Sequence, residues 1–176
     1  LAKNGYEVTV YEKNSSLGGR ARQFSKKGFT FDMGPSWYWM PDVFDKFFND
    51  FGKETKDFYK LKKLNPAYKV YFGKNDSISI EDSLEKIKKV FESEEKGSAK
   101  KLEEFISNAK ENYAIAVTDL LYKMPGLSPL ELITKKTVLK AGSFLSNIRK
   151  EVRKRFKNKK LRSILEFPVL FLGAKA

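Results

Sequence analysis

The chain has 176 residues, 41% of them hydrophobic, which is enough for an ordinary folded core. It contains no Cys and no His, which excludes disulfides, thiolate metal sites, cysteine nucleophiles and the commonest general base. The net charge of +13 is concentrated in residues 131–176, which hold 13 basic and three acidic residues and favour an anionic partner.

The first predicted elements are the end of a helix, stopped by Gly5, and a buried strand over residues 7–11. The strand is predicted because this stretch is rich in β-branched and aromatic residues. It leads into the acid Glu12 and then Lys13. In a dinucleotide-binding βαβ unit, the second strand ends in an acid that accepts hydrogen bonds from ribose hydroxyls. Glu12 occupies the corresponding position.

A glycine pair and an arginine follow a short loop. Gly18 and Gly19 have no Cβ and therefore allow the backbone to approach a ligand closely. Arg20 offers a planar pair of donors that suits a phosphate. A Gly-rich phosphate loop normally lies about 20 residues before the acid, which here would precede Leu1. We therefore expect the first strand and its Gly-x-Gly-x-x-Gly turn to be missing from this chain.

The next predicted element is a hairpin, with strands at residues 20–24 and 29–31 around Lys26-Lys27-Gly28. It continues into an acid-x-Gly-Pro stretch at residues 32–36. The whole run GYEVTVYEKNSSLGGRARQFSKKGFTFDMGPSW resembles the N-terminal FAD-binding region of the phytoene desaturases, which are amine-oxidase-like flavoproteins. Residues 144–173 are similar to a helical segment of the same family.

The resemblance implies FAD as cofactor and an apolar polyene such as phytoene as substrate, in carotenoid biosynthesis. New C=C bonds would form by hydride transfer from the polyene to the flavin. The residues that would bind the cofactor are Glu12, Lys13, Gly18, Gly19, Arg20, Gly34, Pro35 and Ser36. The same motifs also fit a carotenoid isomerase, a ketolase or an amine oxidase. A basic membrane-binding module without catalysis is the third alternative.

Aromatic residues dominate the next segment. Trp37, Tyr38 and Trp39 either line a channel for the polyene or belong to the core, and the sequence does not separate these alternatives. Pro41 begins a helix that ends at Gly52. Its apolar residues recur at a spacing of three to four, which predicts one buried face. That face consists of Val43, Phe44, Phe47, Phe48 and Phe51.

The middle of the chain predicts a second hairpin at residues 67–72 and 77–80, followed by two helices. Ser83 is a suitable N-cap for a helix over residues 84–94. Gly97 then breaks the helix before a longer amphipathic helix over residues 99–122. The apolar face of this helix is predicted to contain Leu102, Phe105, Ile106, Ala109, Tyr113 and Ala116.

Ser128 and Pro129 are typical of an N-cap and a first helical position, and Glu131 lies in the first turn. An acid there complements the helix dipole, which is a sufficient structural explanation. The alternative is a catalytic role for Glu131 at the substrate end of an apolar pocket, where a protonated carboxyl could donate to the polyene.

Residues 130–166 alternate between apolar and basic clusters, which is typical of a basic amphipathic segment. Such a segment lies either in an anionic membrane interface or over a core with its charges in solvent. Nucleic acid is not expected, because no helix-turn-helix, zinc-finger or RNA-binding signature accompanies the charge. The membrane-soluble substrate of the family favours an anionic membrane surface bound through residues 131–162. A cytoplasmic, peripherally membrane-associated protein is expected, with no metal site.

These elements together predict an α/β fold, as an α+β fragment of a larger protein. Residues 1–64 would form a partial Rossmann-type FAD-binding domain, and residues 65–83 would supply strands entering the substrate-binding domain. Residues 84–176 would form a helical substrate- and membrane-associating region. We expect the 176-residue chain alone to be inactive.

Overall fold

A computed structural model of the chain describes residues 1–34, 37–123, 126–144 and 146–172. It divides into two compact units, residues 1–62 (unit 1) and residues 63–176 (unit 2). The secondary structure is a mixture of helices and two antiparallel hairpins, as expected for an α+β chain. Among the described residues there is no pair of parallel strands, so the Rossmann-type sheet remains a prediction.

Unit 1 contains one hairpin and one α-helix. Strands β1 (Gln23–Lys26) and β2 (Phe29–Asp32) pair antiparallel, and helix α1 spans Pro41–Asp50. Short 3₁₀ turns cover Ala2–Asn4, Gly19–Ala21 and Thr55–Asp57. The hairpin turns at Lys27 and Gly28, which both have positive φ, as a two-residue type I′ turn requires. Its first strand begins at Gln23 rather than at Arg20, because residues 19–21 form the 3₁₀ turn.

Two sequence predictions for unit 1 are wrong in this structure. Residues 7–11 do not form a buried strand: Val10 is 77% and Tyr11 93% exposed. A strand needs a neighbour to pair with, and none of the described segments pairs with this one. Helix α1 forms as predicted, but Phe44, Phe47 and Phe51 are exposed instead of lying on a buried face.

Unit 2 begins with a hairpin of strands β3 (Tyr68–Gly73) and β4 (Asp76–Ile80), as the sequence predicted. Helices α2 (Leu84–Glu94) and α3 (Ser98–Tyr113) follow, and α3 continues as a π-helix over Ala114–Leu121. The remaining α-helices are α4 (Lys135–Leu139), α5 (Ala141–Phe144), α6 (Ile148–Arg155) and α7 (Lys159–Glu166). Pro129–Leu132 and Phe167–Leu172 are 3₁₀ turns.

The core of unit 2 joins the hairpin, both central helices and the last two helices. It consists of Ile78, Ile80, Phe91, Leu102, Val152, Phe156, Leu161 and Ile164, all buried. Phe91 and Phe156 meet edge to face, with ring centroids 5.9 Å apart. Segments far apart in sequence are therefore held in one core, and fully burying each large side chain stabilises the fold by about 1.5–3 kcal/mol.

A carboxylate fastens the α2–α3 turn to the α6–α7 turn. Glu95 Oε2 accepts hydrogen bonds from the backbone N–H groups of Lys157 and Asn158, each at 2.8 Å. Its Oε1 accepts from Lys101 Nζ at 2.8 Å. The Asn158 side chain caps α7 and also donates to the Glu94 carbonyl at 3.0 Å. These bonds fix the end of the chain to its middle.

The predicted apolar faces of the later helices need correction. In α3, Leu102 is buried and Phe105 half-buried, whereas Ile106 and Ala109 are exposed. The predicted basic amphipathic segment is four short helices instead of one continuous surface. Val152 and Phe156 belong to the core, so α6 presents its basic residues over a packed interior.

No helix among the described residues is long and apolar enough to cross a bilayer. The same residues contain no cluster of three or more acidic side chains that could hold a metal ion.

Candidate functional site

Two of the predicted cofactor stretches of unit 1, residues 18–20 and Gly34, lie at the open end of the β1–β2 hairpin. Beyond the last residue pair of the two strands, Met33 N donates to the Arg22 carbonyl at 2.8 Å, which extends the pairing of the hairpin by one residue. The glycine-arginine stretch precedes β1 and the acid-x-Gly stretch follows β2. Antiparallel pairing therefore brings two motifs that are about a dozen residues apart in sequence to the same place.

Gly34 lies directly against the backbone of Arg20. A Cβ at Gly34 would lie 2.1 Å from the Arg20 carbonyl oxygen, and Gly34 also has φ +113°. Any side chain would therefore both clash and strain the backbone. This contact explains why glycine is needed at position 34, and it joins the two predicted motifs through their main chains.

Gly18 and Gly19 differ in how closely other atoms pack against them. Gly18 has φ +106° and packs on Arg22, whose Cα would lie 3.0 Å from an added Cβ. Gly19 has φ +52° and no atom within 4 Å of an added Cβ, apart from its chain neighbours. The backbone is therefore open to a ligand at Gly19. The neighbouring Arg20 side chain is exposed, and among the described residues no carboxylate pairs with it.

Glu12 is held by its own loop. Its Oε1 accepts hydrogen bonds from the backbone N–H of Asn14 at 2.8 Å and from Asn14 Nδ2 at 2.7 Å. These bonds lower the pKa of Glu12, chiefly the backbone bond, and the positive charge of Arg22 adds to the effect. Glu12 is thus an exposed carboxylate that Asn14 holds in one orientation and that the positive charge of Arg22 influences. Lys13 beside it is exposed.

This donor and acceptor set fits a flavin dinucleotide. An oriented carboxylate can accept bonds from ribose hydroxyls, an unpaired guanidinium can donate to a phosphate, and open glycine backbone can approach the pyrophosphate. The close contact of Gly34 with the Arg20 backbone places the main chain of the acid-x-Gly stretch beside that of the glycine-arginine stretch. Pro35 and Ser36, which the sequence also assigned to this site, lie outside the described residues.

The aromatic residues after the motif are partly exposed. Trp37 and Trp39 stack with ring centroids 5.9 Å apart, and Tyr38 stacks on Phe44 at 4.7 Å. Each retains more than a third of its surface in solvent, so none is core. Their rings present an apolar surface, which is the property that a polyene-binding wall requires.

Sequence reasoning missed a polar cluster around Tyr59. The hydroxyl groups of Tyr38 and Tyr59 share a hydrogen bond of 2.5 Å, and Thr55 Oγ1 donates to Asp45. Partial desolvation raises the pKa of Tyr38, and the bond to Tyr59 raises it further. Tyr59 lines an open cavity of about 700 Å³ with seven mainly polar neighbours. No motif marks these residues, because the pairing spans 21 positions.

Glu131 is a capping residue. Its carboxylate accepts hydrogen bonds from the backbone N–H groups of Gly126 at 2.9 Å, and of Leu127 and Ser128 at 3.2 Å. Ser128 returns the bond in a capping box over Pro129–Leu132. The structural explanation therefore accounts for every polar contact recorded for this side chain.

Comparison with known proteins places the chain in a family. Residues 1–175 match the protein family described as "Flavin containing amine oxidoreductase". The chain is 36% identical to the carotenoid 3,4-desaturase of Haloarcula japonica over 177 residues. It is 33% identical over 181 residues to the 4,4'-diapophytoene desaturases of Staphylococcus haemolyticus and Staphylococcus aureus. Each alignment covers 98% of this chain but only 35% of the relative.

These matches confirm the resemblance to carotenoid desaturases that the two glycine motifs indicated. They also imply a flavin as the family's cofactor. The chain belongs to the flavin-containing amine oxidoreductase family.

Proposed function

We propose that this chain supplies the adenosine-diphosphate-binding part of an FAD-dependent carotenoid desaturase. The reaction removes two hydrogens from adjacent carbons of a polyene and leaves a new C=C bond. FAD, when bound, supplies the hydride acceptor, while the second hydrogen leaves as a proton. The desaturase relatives support this chemistry over isomerase, ketolase or amine oxidase chemistry.

The observation that carries the proposal is the main-chain contact between Gly34 and Arg20. It makes one surface from the two stretches that resemble the cofactor-binding region of the family. In our proposal, Glu12 binds the ribose, while Gly18 and Gly19 admit the pyrophosphate and Arg20 pairs with one of its phosphates. Gly34 lies at the flavin end, with Lys13, Pro35 and Ser36 beside the cofactor.

The aromatic residues Trp37, Tyr38 and Trp39 are proposed to line the polyene path. Their contribution is apolar surface and exclusion of water, since none of them is needed for proton transfer. We assign Glu131 no step in this reaction, because capping already uses its carboxylate. The earlier catalytic hypothesis would require that cap to open.

The cofactor proposal is tested by Glu12→Ala in the full-length gene product, with Glu7→Ala as the matched control. Removing a carboxylate that accepts ribose hydrogen bonds should weaken FAD binding by about tenfold or more, equivalent to ~1.4 kcal/mol. FAD affinity is measured by titration of flavin fluorescence, and folding by circular dichroism. Flavin affinity equal to wild type in Glu12→Ala would refute the ribose role.

The reaction is tested separately by incubating the loaded enzyme with phytoene and with diapophytoene. New conjugated absorption bands are expected as double bonds are added. A product with unchanged conjugation would contradict desaturation and favour one of the other flavoprotein reactions.

We also propose peripheral association with an anionic membrane surface on the cytoplasmic side. The support is the basic face of α6 and its flanks, where Arg149, Lys150, Arg153, Lys154, Lys157 and Lys159 are exposed. Each basic residue near an anionic surface contributes about 1 kcal/mol. Flotation with vesicles containing phosphatidylglycerol should carry the chain upward, and DNA should not retain it. Retention by DNA without flotation would overturn this proposal.

A further inference from the structure

Tyr38 carries a polar group at the end of a ring that is proposed to face an apolar substrate. The ring stacks on Phe44, with centroids 4.7 Å apart, and the side chain retains 39% of its surface in solvent. A polyene has no group that forms a hydrogen bond. When it covers this ring and excludes water, the Tyr38 hydroxyl can bond only to the protein, and a desolvated hydroxyl without a partner costs free energy.

Tyr59 supplies the hydrogen-bond partner for that hydroxyl. The two hydroxyl oxygens are 2.5 Å apart, and the rings of Tyr38 and Tyr59 meet edge to face, with centroids 5.8 Å apart. Partial desolvation raises the pKa of Tyr38, and the bond to Tyr59 raises it further, so this hydroxyl stays neutral. A neutral, paired hydroxyl leaves water at a much lower cost than an unpaired one.

Tyr59 is itself fixed to helix α1. Its backbone N–H donates to the Thr55 carbonyl at 3.2 Å, and Thr55 Oγ1 donates to Asp45 of α1. The Tyr59 ring also meets Phe48 of α1 edge to face, with centroids 6.1 Å apart. The Tyr59 hydroxyl is therefore held in one place, where it can orient the hydroxyl of Tyr38.

The backbone between residues 37–39, here called the aromatic wall, and helix α1 is strained. Met40 has φ +53°, a left-handed conformation that is uncommon for residues other than glycine. Val43 N donates to the Met40 carbonyl at 3.0 Å and holds this turn at the start of the helix. Strained residues persist where the surrounding contacts fix them, and they cluster at active sites and ligand clamps. The position of Tyr38 is thus set through its backbone as well as through its hydroxyl.

The two hydroxyl groups differ in what surrounds them. Within the described part of the chain, Tyr59 is the one hydrogen-bond partner of the Tyr38 hydroxyl. Tyr59, by contrast, lines the open cavity of about 700 Å³, whose walls also include Asp45, Asn49 and Lys60. Water in that cavity can serve the Tyr59 hydroxyl when Tyr38 has lost its own. Removing one hydroxyl is therefore not equivalent to removing the other.

We propose that Tyr59 is a positioning residue of the polyene site, which pairs the Tyr38 hydroxyl while the substrate covers the Tyr38 ring. The inference rests on the proposed desaturase function and on the aromatic wall as the polyene path. Tyr59 takes no part in hydride or proton transfer, and it lowers the cost of removing water from Tyr38. Its loss should weaken polyene binding and leave the chemical step unchanged.

Three variants of the full-length, FAD-loaded enzyme test this role, with phytoene in detergent micelles as the probe. Tyr59→Phe leaves the Tyr38 hydroxyl without a partner and should raise both the KM and the dissociation constant for phytoene by about tenfold, with kcat unchanged. Tyr38→Phe should bind phytoene as wild type does. Tyr38→Phe/Tyr59→Phe should restore the affinity that Tyr59→Phe loses, because no hydroxyl is then left unpaired in the polyene site.

Binding is measured without turnover by tryptophan fluorescence, on enzyme whose flavin has been reduced with dithionite and cannot accept a hydride. Tyr71→Phe, at an exposed tyrosine on β3, is the matched control and should leave the affinity unchanged. Circular dichroism and urea unfolding check the fold. Little change is expected there, since each substitution keeps the ring and its aromatic contacts.

The effect of the second substitution separates positioning from a structural role. If Tyr59→Phe and the double variant bind phytoene equally weakly, Tyr59 contributes packing alone and the inference is overturned. Wild-type affinity in Tyr59→Phe would overturn it as well, because the hydroxyl pair would then play no part in binding.

Failure of the proposed function has a different signature. If the wild-type enzyme binds no phytoene, the polyene path along the aromatic wall fails, and the role of Tyr59 fails with it. If the wild type binds phytoene and forms no new conjugated absorption, the desaturase assignment fails, whereas the affinities of the variants still decide the role of Tyr59.

Discussion

Glu95 provides the sharpest test of how unit 2 is held together. Glu95→Ala removes the acceptor for the backbone N–H groups of Lys157 and Asn158 and the partner of Lys101. The Glu95 side chain is only 13% exposed, so water replaces these bonds poorly. Unlike an exposed ion pair, this contact joins residues more than 60 positions apart.

The size of the destabilisation follows from the backbone N–H groups that lose their acceptor. A backbone N–H left without an acceptor costs about 1–3 kcal/mol, less where water reaches it. The Asn158 N–H is partly buried, the Lys157 N–H is exposed and the Lys101 ion pair is also lost, so Glu95→Ala should destabilise unit 2 by about 3 kcal/mol. Glu95→Gln keeps an amide oxygen for the N–H groups and loses the charge, and should cost about 1 kcal/mol. Glu94→Ala is the matched control: the Glu94 carbonyl still accepts from Asn158, and the expected change is at most about 0.5 kcal/mol.

Urea unfolding followed by far-ultraviolet circular dichroism measures this series, since most helices belong to unit 2. With a slope of about 1.5 kcal/mol/M, the expected shift of the midpoint for Glu95→Ala is about 2 M. The order should be Glu95→Ala, then Glu95→Gln, then the control. Equal midpoints for Glu95→Ala and Glu94→Ala would show that the two turns are held by the hydrophobic core alone.

Three further predictions concern Glu151, Gly34 and Asn158. Hydrogen bonds from Arg155, Ser146 and Lys154 lower the pKa of Glu151 from 4.5 to about 2. The stability that the Glu151 carboxylate contributes to the fold is therefore complete above pH 4.5 and is lost as the pH falls towards 2. Glu151→Gln should flatten an acid unfolding curve followed by circular dichroism, and an unchanged curve would contradict this. Gly34→Ala should release FAD from the full-length gene product, whereas Gly28→Ala, strained by its positive φ but without a clash, should retain most of it; equal retention would refute the Gly34 contact. Asn158→Ala should cost about 1–2 kcal/mol in urea unfolding because α7 loses its cap, and an unchanged midpoint would count against that cap.

Local signals in the sequence were sufficient for most elements of unit 2. Ser83 capped a helix with the predicted bounds of residues 84–94, and Gly97 separated it from the next helix. The turn of the unit 1 hairpin was equally predictable, because Gly28 readily adopts the positive φ that a two-residue hairpin turn requires; Lys27 adopts it as well, although it is not glycine. Capping and turn chemistry act over a few residues, so they can be recognised without the tertiary structure.

Burial was predicted much less well than secondary structure. The apolar spacing of α1 is correct for a helix, but a periodic pattern does not say whether another element covers it. Residues 7–11 have strand composition and no partner strand among the described residues, so they remain extended and exposed. In residues 130–166, one apolar pattern divides into core side chains at Val152 and Phe156 and exposed ones at Leu130 and Ile133.

The sequence by itself determined the family and indicated two candidate cofactor motifs, because the spacing of glycine, arginine and carboxylate residues depends on local backbone. Only the tertiary structure decided that Gly34 touches the Arg20 carbonyl, that Glu95 joins turns 60 residues apart, and that residues 126–140 face outward with their apolar side chains. These features depend on which distant segments become neighbours, and that depends on the packing energy of the whole chain and not on any local pattern.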